Sequence, residues 1–252
     1  MIKINRVPPP PELTEEKKKE LTQKFINEKE RVWATPYIKN ALFKMSKGKC
    51  SFCECKLGEE GKYMHVEHFH HKDSYPNEVV EWNNLLPTCV RCNTNKGIHD
   101  TVLEPIIDVT MCDPRDHLII DNYRYKSKNN SQLGRQTIEV IYLNDSDQLV
   151  KPRFDIANKA KETLELILDK AREFKDGVSN STRRKNIIVN GLKSLLREAH
   201  PSSQFSAIVA TAIIHDVDYS ELKGILISLN LWDEEMQRIE SEVVNTSLYG
   251  QY

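Results

Sequence analysis

The chain has 252 residues, of which 39% are hydrophobic and 29% charged, a globular balance with enough apolar material to form a core. No stretch is apolar for long enough to cross a bilayer, and the N-terminal sequence MIKINRVPPPP lacks the apolar segment of a secretory signal. These features argue against membrane insertion and secretion, and we expect a cytoplasmic protein. The net charge of −1 does not decide whether nucleic acid is bound, because binding needs only a local basic face.

Residues 1–43 are predicted to form a proline-rich arm and a helix. Four consecutive prolines at residues 8–11 favour an extended lead-in. Thr14 is followed by two glutamates, which is typical of a helix N-terminus, and the apolar spacing beyond it predicts a helix over about 14–31. Pro36 should prevent any continuation, because the residue before a proline disfavours helical backbone.

Residues 44–100 differ in composition from the rest of the chain. Cysteine, histidine, glycine and asparagine concentrate there, which indicates a small module held together by metal. Residues 101–252 begin with a turn-rich connecting segment and continue as an α-helical domain. The apolar spacing predicts helices over 154–174, 183–199, 204–215, 219–230 and 233–246. We therefore predict an α+β chain in which a small zinc-pinned module is embedded in mostly helical structure.

Two C-x-x-C pairs, Cys50/Cys53 and Cys89/Cys92, are separated by 35 residues. Each pair can place two thiolates on one metal ion, and two pairs complete the tetrahedron that Zn²⁺ prefers in structural sites. A redox role is the alternative for a single C-x-x-C pair, but it would not require the second pair. In a reducing compartment such clusters are metal ligands more often than disulfides. Cys55 is a fifth thiol whose role the sequence leaves open.

Half of the eight histidines lie in the stretch HVEHFHH, residues 65–71. This density indicates a metal site, acid–base chemistry or both. In a regular strand Glu67 and His68 would point to opposite faces, unless the strand is bent or bulged there. Three further histidines of the stretch have no specific role predicted: His65, His70 and His71.

This stretch and the residues around it resemble the HNH endonucleases, which have a ββα-metal fold. In the zinc-bearing branch of that family, a C-x-x-C pair precedes an acidic residue followed by histidine. A later Asn-Leu step then leads into C-x-x-C-Asn-x-x-Lys. The residues that match these positions are Glu67-His68, Asn84-Leu85, Asn93 and Lys96. Aspartate is more usual at the position of Glu67 and histidine at that of Asn93.

The resemblance implies a phosphodiester hydrolase and a role for each matching residue. His68 would be the general base, because a neutral imidazole accepts a proton at cellular pH. Glu67 and Asn93 would bind a catalytic Mg²⁺ or Mn²⁺ ion, which stabilises charge on the phosphate and the leaving oxygen. Asn84 would tether a loop and so orient the base. Lys96 is a candidate phosphate contact, with a solvated lysine at a helix end as the alternative.

Looser motifs along most of the chain resemble the PtuB family, the HNH components of Septu anti-phage systems that also occur as retron effectors. The motifs are the opening MIKINRVPPPPELT, Pro105 to Asp108, Asp113-Pro114 with His117, Thr137-Ile138 with Leu143-Asn144, and the helical C-terminal half. This resemblance implies a PtuA-like ABC-type ATPase partner and, in retron systems, a reverse transcriptase with its RNA/DNA product. The chain has no G-x-x-x-x-G-K-[ST] loop, so we expect the partner to bind ATP.

DNA is the substrate that we expect. Structured RNA such as tRNA is the main alternative, because the motif recognises phosphates rather than the sugar. A zinc-pinned nucleic-acid-binding module without catalysis is a second alternative, although the intact motif argues against it. A HEPN-like RNase would require an R-x-x-x-x-H step that the helical half lacks. Candidate phosphate contacts are Lys44, Lys47, Lys49, Arg124, Lys126, Lys128, Arg183, Arg184 and Lys185.

Overall fold

The computed structural model describes residues 1–59 and 63–250. The chain folds into two compact units, one of Met1–Leu118 with Tyr125–Asn144 and the other of Ile119–Arg124 with Asp145–Gly250. The boundaries predicted at residues 43/44 and 100/101 lie inside the first unit. Across the described residues helices dominate and two small two-stranded sheets supply the β-structure, so the mixed, mostly helical character is confirmed.

The first unit begins with helices and continues through two paired strands into a short helix. Thr14 caps the first helix as predicted, because its hydroxyl accepts the N–H of Lys17 at 3.2 Å. That helix ends where Lys29 adopts a left-handed conformation, with φ of 57°. The elements are α1 (Glu15–Glu28), α2 (Pro36–Met45), β1 (Met64–His68), β2 (Leu85–Cys89), α3 (Val90–Lys96) and α4 (Gln132–Ile141).

Helix α2 was not predicted from the sequence. Pro36, expected only to prevent helical continuation, occupies the first position of this new helix, where its missing N–H is not needed. Ile38, Leu42 and Met45 are buried along one face of the helix. This face packs against both strands, so α2 forms one wall of the region that carries the HVEHFHH stretch.

Strands β1 and β2 are antiparallel and are followed directly by α3. Met64 pairs with Cys89 and His68 with Leu85, and the register between these ends runs without an inserted residue. Since the strand is not bulged, Glu67 and His68 leave it in opposite directions, as its period of two requires. The helix packs on both strands and brings its own side chains to Glu67.

Two further strands, β3 (Leu118–Asp121) and β4 (Arg124–Ser127), form the second sheet. The helices of the second unit form an apolar core of their own, which includes Leu164, Leu192, Val209 and Leu222. Its helices lie close to the predicted ranges. They are α5 (Lys151–Lys175), α6 (Thr182–Glu198), α7 (Ser206–Ile214), α8 (Val217–Ser228) and α9 (Glu234–Val244).

Helix α7 is enclosed in the second unit. Ala207, Val209 and Ala210 are fully buried, and the helix packs against neighbouring helices of that unit. Small apolar residues are among those most often fully buried, which accounts for this packing. Among the described residues, no helix combines the length and the apolar character needed to cross a membrane.

Candidate metal centre and active site

Both C-x-x-C pairs converge on one point. The sulfur atoms of Cys50, Cys53, Cys89 and Cys92 all lie within 4.8 Å of one another, and all four residues are buried. The sulfurs of Cys53 and Cys89 are 3.7 Å apart. Zinc bonds of about 2.3 Å place the sulfurs of a regular tetrahedron about 3.8 Å apart. The four thiols could therefore hold a structural metal ion such as Zn²⁺.

The first pair lies on a tight loop. The N–H of Leu57 donates to the carbonyl of Gly48 at 2.8 Å, and the N–H of Cys50 donates to the carbonyl of Cys55 at 2.9 Å. Gly48 has a φ of +70°, and a Cβ at this position would lie 3.0 Å from the Phe43 ring. The loop therefore needs glycine here, both for its conformation and for its space.

The second pair spans the junction of β2 and α3. Cys89 is the N-cap of α3, and its sulfur accepts the N–H of Cys92 at 3.5 Å. The pair is thus oriented by the first turn of a helix, whose N–H groups favour a thiolate.

Cys55, the fifth thiol, is also buried but lies outside the four-cysteine set. Cys55 is therefore the poorer candidate for a ligand, because the other four sulfurs already form a complete tetrahedral set.

Lys49, expected from its charge to be a phosphate contact, does not face solvent. It is buried, and its ammonium lies 2.9 Å from Glu54 Oε2. That expectation was wrong, because the tight loop turns Lys49 towards a buried carboxylate.

A cleft of about 580 Å³ lies along β1 in the first unit. It brings together side chains from the segment before α2, from α2 itself, from β1 and from α3. Its basic residues outnumber its single carboxylate, which gives the cleft a positive character. Its lining residues with acidic, basic or amide side chains are Arg31, Lys39, His65, Glu67, His68, His71, Lys72 and Asn93.

His68 is held by contacts on two sides. Its ring meets the indole of Trp33 edge-on, and its Nε2 lies 2.9 Å from the carbonyl oxygen of Val79. Since a carbonyl can only accept, Nε2 must carry the proton, and Nδ1 keeps the basic lone pair. Burial is the main cause that lowers the pKa of His68 to about 4. The imidazole is therefore neutral at pH 7 and able to accept a proton.

Glu67 lies on the opposite side of β1 and contacts α3. The side-chain amide of Asn93 donates to Glu67 Oε2, and the Lys96 ammonium lies 2.8 Å from Oε1. Burial raises the pKa of Glu67, and the charge of Lys96 opposes this effect. Two of the residues matched to the catalytic metal, Glu67 and Asn93, are therefore in direct contact.

Lys96 is not a solvated lysine at a helix end. It is 2% exposed, and besides its contact with Glu67 it donates to the carbonyl oxygen of His68 at 2.9 Å. Lys96, at the end of α3, therefore links the carboxylate of Glu67 to the backbone of His68.

Asn84 directly precedes β2 and bridges the two ends of the loop before it, residues 70–78. Its Oδ1 accepts the N–H of His70 at 2.6 Å, and its Nδ2 donates to the carbonyls of His70 and Glu78 at 3.1 Å each. The Glu78 carbonyl is adjacent in sequence to Val79, whose own carbonyl binds the ring of His68. Asn84 thus closes the loop that presents the hydrogen-bond acceptor for His68.

The remaining histidines of the stretch have separate surroundings. His70 Nδ1 lies 2.7 Å from Glu78 Oε2, whereas His71 Nε2 lies 3.8 Å from Asp73. His65 and His71 line the cleft.

The sequence did not indicate several residues that line this cleft. Arg31 and Lys39 are exposed, and Trp33 is buried beside His68. The helical spacing of the apolar residues in α2 could have placed Lys39 on its outer face. No local pattern could have placed Arg31 or Trp33 at the cleft.

Comparison with known proteins gives the family. No protein-family model matches the chain. The chain is 45% identical over 241 residues to the Septu protein PtuB of Bacillus thuringiensis, covering 96% of this chain and 93% of that protein. It is also 28% identical over 163 residues to the Septu protein PtuB of Bacillus mycoides strain KBAB4, covering 52% of this chain and 55% of that protein. The chain therefore belongs to the Septu PtuB family.

Proposed function

We propose that the chain is a metal-dependent HNH endonuclease that hydrolyses phosphodiester bonds, most simply of DNA, as the nuclease component of an anti-phage defence complex. The observation that carries the proposal is that Glu67, His68 and Asn93 all line one positively charged cleft along β1, even though Glu67 and His68 leave the strand in opposite directions. A cleft of this charge suits a phosphate backbone, and these side chains suit its hydrolysis.

His68 is the general base in this proposal. Its Nε2 is occupied by the Val79 carbonyl, so Nδ1 is the atom that takes the proton of the attacking water. The lowered pKa keeps the ring in its neutral, proton-accepting form at pH 7, and it also makes the ring a weaker base than a free imidazole. Contact with Trp33 restricts the ring to one orientation.

Glu67 and Asn93 are the residues that would hold the catalytic ion. A carboxylate and an amide oxygen are donors that Mg²⁺ or Mn²⁺ accepts, and few protein ligands suffice where phosphate and water complete the coordination. Asn93 directs its amide nitrogen to Glu67, so its oxygen would have to exchange places with that nitrogen to join the ion. When bound, the ion would stabilise negative charge on the phosphate and the leaving oxygen.

The four-cysteine cluster has a structural part in the proposal. Zn²⁺ bound there would join the loop before β1 to the junction of β2 and α3, and α3 carries Asn93 and Lys96. The proposed partner is a PtuA-like ABC-type ATPase, because family membership implies a Septu system. In a retron system, a reverse transcriptase with its RNA/DNA product would be a further partner beside the ATPase.

The first experiment measures cleavage of supercoiled plasmid and of total tRNA by the purified chain in Mg²⁺ or Mn²⁺. Each reaction is run with and without the ATPase partner, and EDTA is added to a parallel sample. The variants are His68→Ala and, as a matched control, His99→Ala. His99 lies in the same unit but outside the cleft, where its Nε2 hydrogen-bonds to the Glu104 carbonyl at 2.7 Å.

Cleavage that is lost in EDTA and in His68→Ala but kept in His99→Ala would support the nuclease, and the degraded pool would identify the substrate. Degradation of tRNA alone would replace DNA with RNA in the proposal. Wild-type protein that cuts neither pool with its partner present, or His68→Ala that cuts as well as wild type, would refute the catalytic assignment. A zinc-pinned binding module would then be the better description.

A further inference from the structure

The turn that carries Asn84 is bound from outside by Arg6. Arg6 Nη1 donates to the carbonyls of Trp82 and Leu85, and Nη2 donates to the carbonyl of Asn83, each at 2.7 Å. Carbonyls on both sides of Asn84 therefore bind one guanidinium. The Trp82 carbonyl also accepts the N–H of Leu85, so the guanidinium adds side-chain hydrogen bonds to a turn that already has a backbone hydrogen bond.

The segment that carries Arg6 is itself fixed on two sides. The indole N–H of Trp82 donates back to the carbonyl of Val7 at 2.7 Å, so segment and turn are bonded in both directions. On the other side the N–H of Ile4 donates to the Val109 carbonyl at 2.8 Å. Arg6 Nε also donates to Thr110 Oγ1 at 3.2 Å. The guanidinium is thus anchored in one orientation.

From this turn a short series of contacts leads to the base. Asn84 donates to the carbonyl of Glu78 and binds the backbone of His70, which closes the loop between them. Val79 follows Glu78, and its carbonyl binds Nε2 of His68. A shift of the Asn84 turn would therefore move the acceptor that determines which ring nitrogen of His68 carries the proton.

We propose that Arg6 is a positioning residue of the site, which fixes the Asn84 turn and through it the orientation and tautomer of His68. The inference rests on the proposed nuclease function for its effect on cleavage, but its effect on the His68 tautomer does not depend on that function. Arginine is required because a planar guanidinium can reach three carbonyls and a hydroxyl at once, whereas a lysine ammonium is a single point donor.

The test compares Arg6→Gln and Arg6→Lys with Lys3→Gln. Lys3 is the matched control, because it lies in the same segment and donates to the Thr110 carbonyl at 2.9 Å without contacting the 82–85 turn. Each zinc-loaded full-length protein is assayed with the ATPase partner for kcat and KM. Long-range ¹H–¹⁵N spectra of the histidine rings report the His68 tautomer, assigned by comparison with His68→Ala. Zinc content and thermal unfolding report whether each variant is folded.

We expect Arg6→Gln to lower kcat by about 10- to 100-fold, with KM within about twofold of wild type. Its folded protein should show His68 as a mixture of tautomers, while wild type and Lys3→Gln show the Nε2–H form. Arg6→Lys should fall between wild type and Arg6→Gln in both measurements. If Arg6→Gln does not fold, Arg6→Lys decides the question by the same two measurements.

The inference is overturned if the folded variants keep the Nε2–H tautomer, or if they raise KM and leave kcat unchanged. If wild type cleaves no nucleic acid, the proposed function fails, and the ring spectra still decide whether Arg6 positions His68. If wild type cleaves and the folded Arg6 variants match it in kcat and tautomer, the nuclease proposal stands and only the role of Arg6 is refuted.

Discussion

His68 and Trp33 pack edge to face, with ring centroids 4.7 Å apart and ring planes at 88°. The indole covers the imidazole, and the resulting burial is the main reason that the pKa of His68 falls to about 4 from an ordinary value of 6.5. The Trp33 contact therefore restrains the ring and contributes to the burial that keeps it neutral.

The stability of the protein should depend on pH through His68. Because the folded-state pKa lies below the unfolded value, the unfolded chain binds more protons between pH 6.5 and 4, and stability falls as pH falls through this range. Between pH 7 and pH 5 wild type should lose about 2 kcal/mol more than His68→Gln, which has no such proton to bind. Urea unfolding of both proteins at the two pH values, in EDTA-free buffer, measures the difference. Equal losses in the two proteins would show that His68 is not held in a desolvated, neutral state.

The buried pair of Glu67 and Lys96 should make a large contribution to stability when one partner is removed. Their side chains are 4% and 0% exposed, so Lys96→Met leaves a buried carboxylate without its cation. We expect a loss of about 3–5 kcal/mol in the free energy of unfolding. Adding Glu67→Gln to Lys96→Met should restore part of this loss, because the uncompensated charge is then gone.

The matched control for this pair is Lys17→Met. Lys17 pairs with Glu20 on the surface of α1, where the side chains are 39% and 61% exposed, so its loss should change stability by less than about 1 kcal/mol. Denaturant unfolding of wild type and of the three variants forms the comparison. A double variant less stable than Lys96→Met alone would contradict the electrostatic explanation.

The four-cysteine cluster predicts one zinc ion per chain. Cys92→Ser should lose the ion and lower the unfolding temperature of the first unit by more than about 10 °C, because structural zinc contributes directly to folding. Cys55→Ser and Cys112→Ser should keep the ion, since both residues lie outside the cluster. Elemental analysis and calorimetry measure both effects. Zinc loss in Cys55→Ser together with zinc retention in Cys92→Ser would place the fifth thiol among the ligands instead.

Much of the fold could be predicted because its signals are local. Thr14 and the glutamates after it identify the start of α1, and the apolar spacing identifies α6 to within one residue at each end. Helix α2 was missed because Pro36 was interpreted only as a helix breaker. The buried positions Ile38, Leu42 and Met45 have helical spacing, so a proline at the first position was the better interpretation.

The candidate site was predictable only where its residues form a motif. The spacing of the cysteine pairs predicted that they converge on one point. The family resemblance predicted that Glu67 and Asn93 lie close together, and their side chains are in contact. Arg6 could not be found in this way, because it binds a turn 76 to 79 residues further along the chain and no periodicity reports such a contact. The burial of Lys96 could not be predicted either, since its partner Glu67 lies on β1, a separate element of the chain.

The basic residues of the cleft should make nucleic-acid binding depend on salt. Arg31 and Lys39 are exposed and line the cleft, whereas Lys44 and Lys47 are exposed but do not line it. Replacing Arg31 and Lys39 together by alanine should weaken binding and reduce the slope of log K against log salt by about 1.4 to 1.8, because two phosphate contacts are lost.

The matched control for this prediction is the Lys44→Ala/Lys47→Ala protein, which removes the same charge and should keep a slope near that of the parent. Fluorescence anisotropy of a labelled oligonucleotide measures these slopes, with His68→Ala as the parent of both variants to prevent cleavage. Equal slopes for the two double variants would mean that net charge, and not the cleft, controls binding.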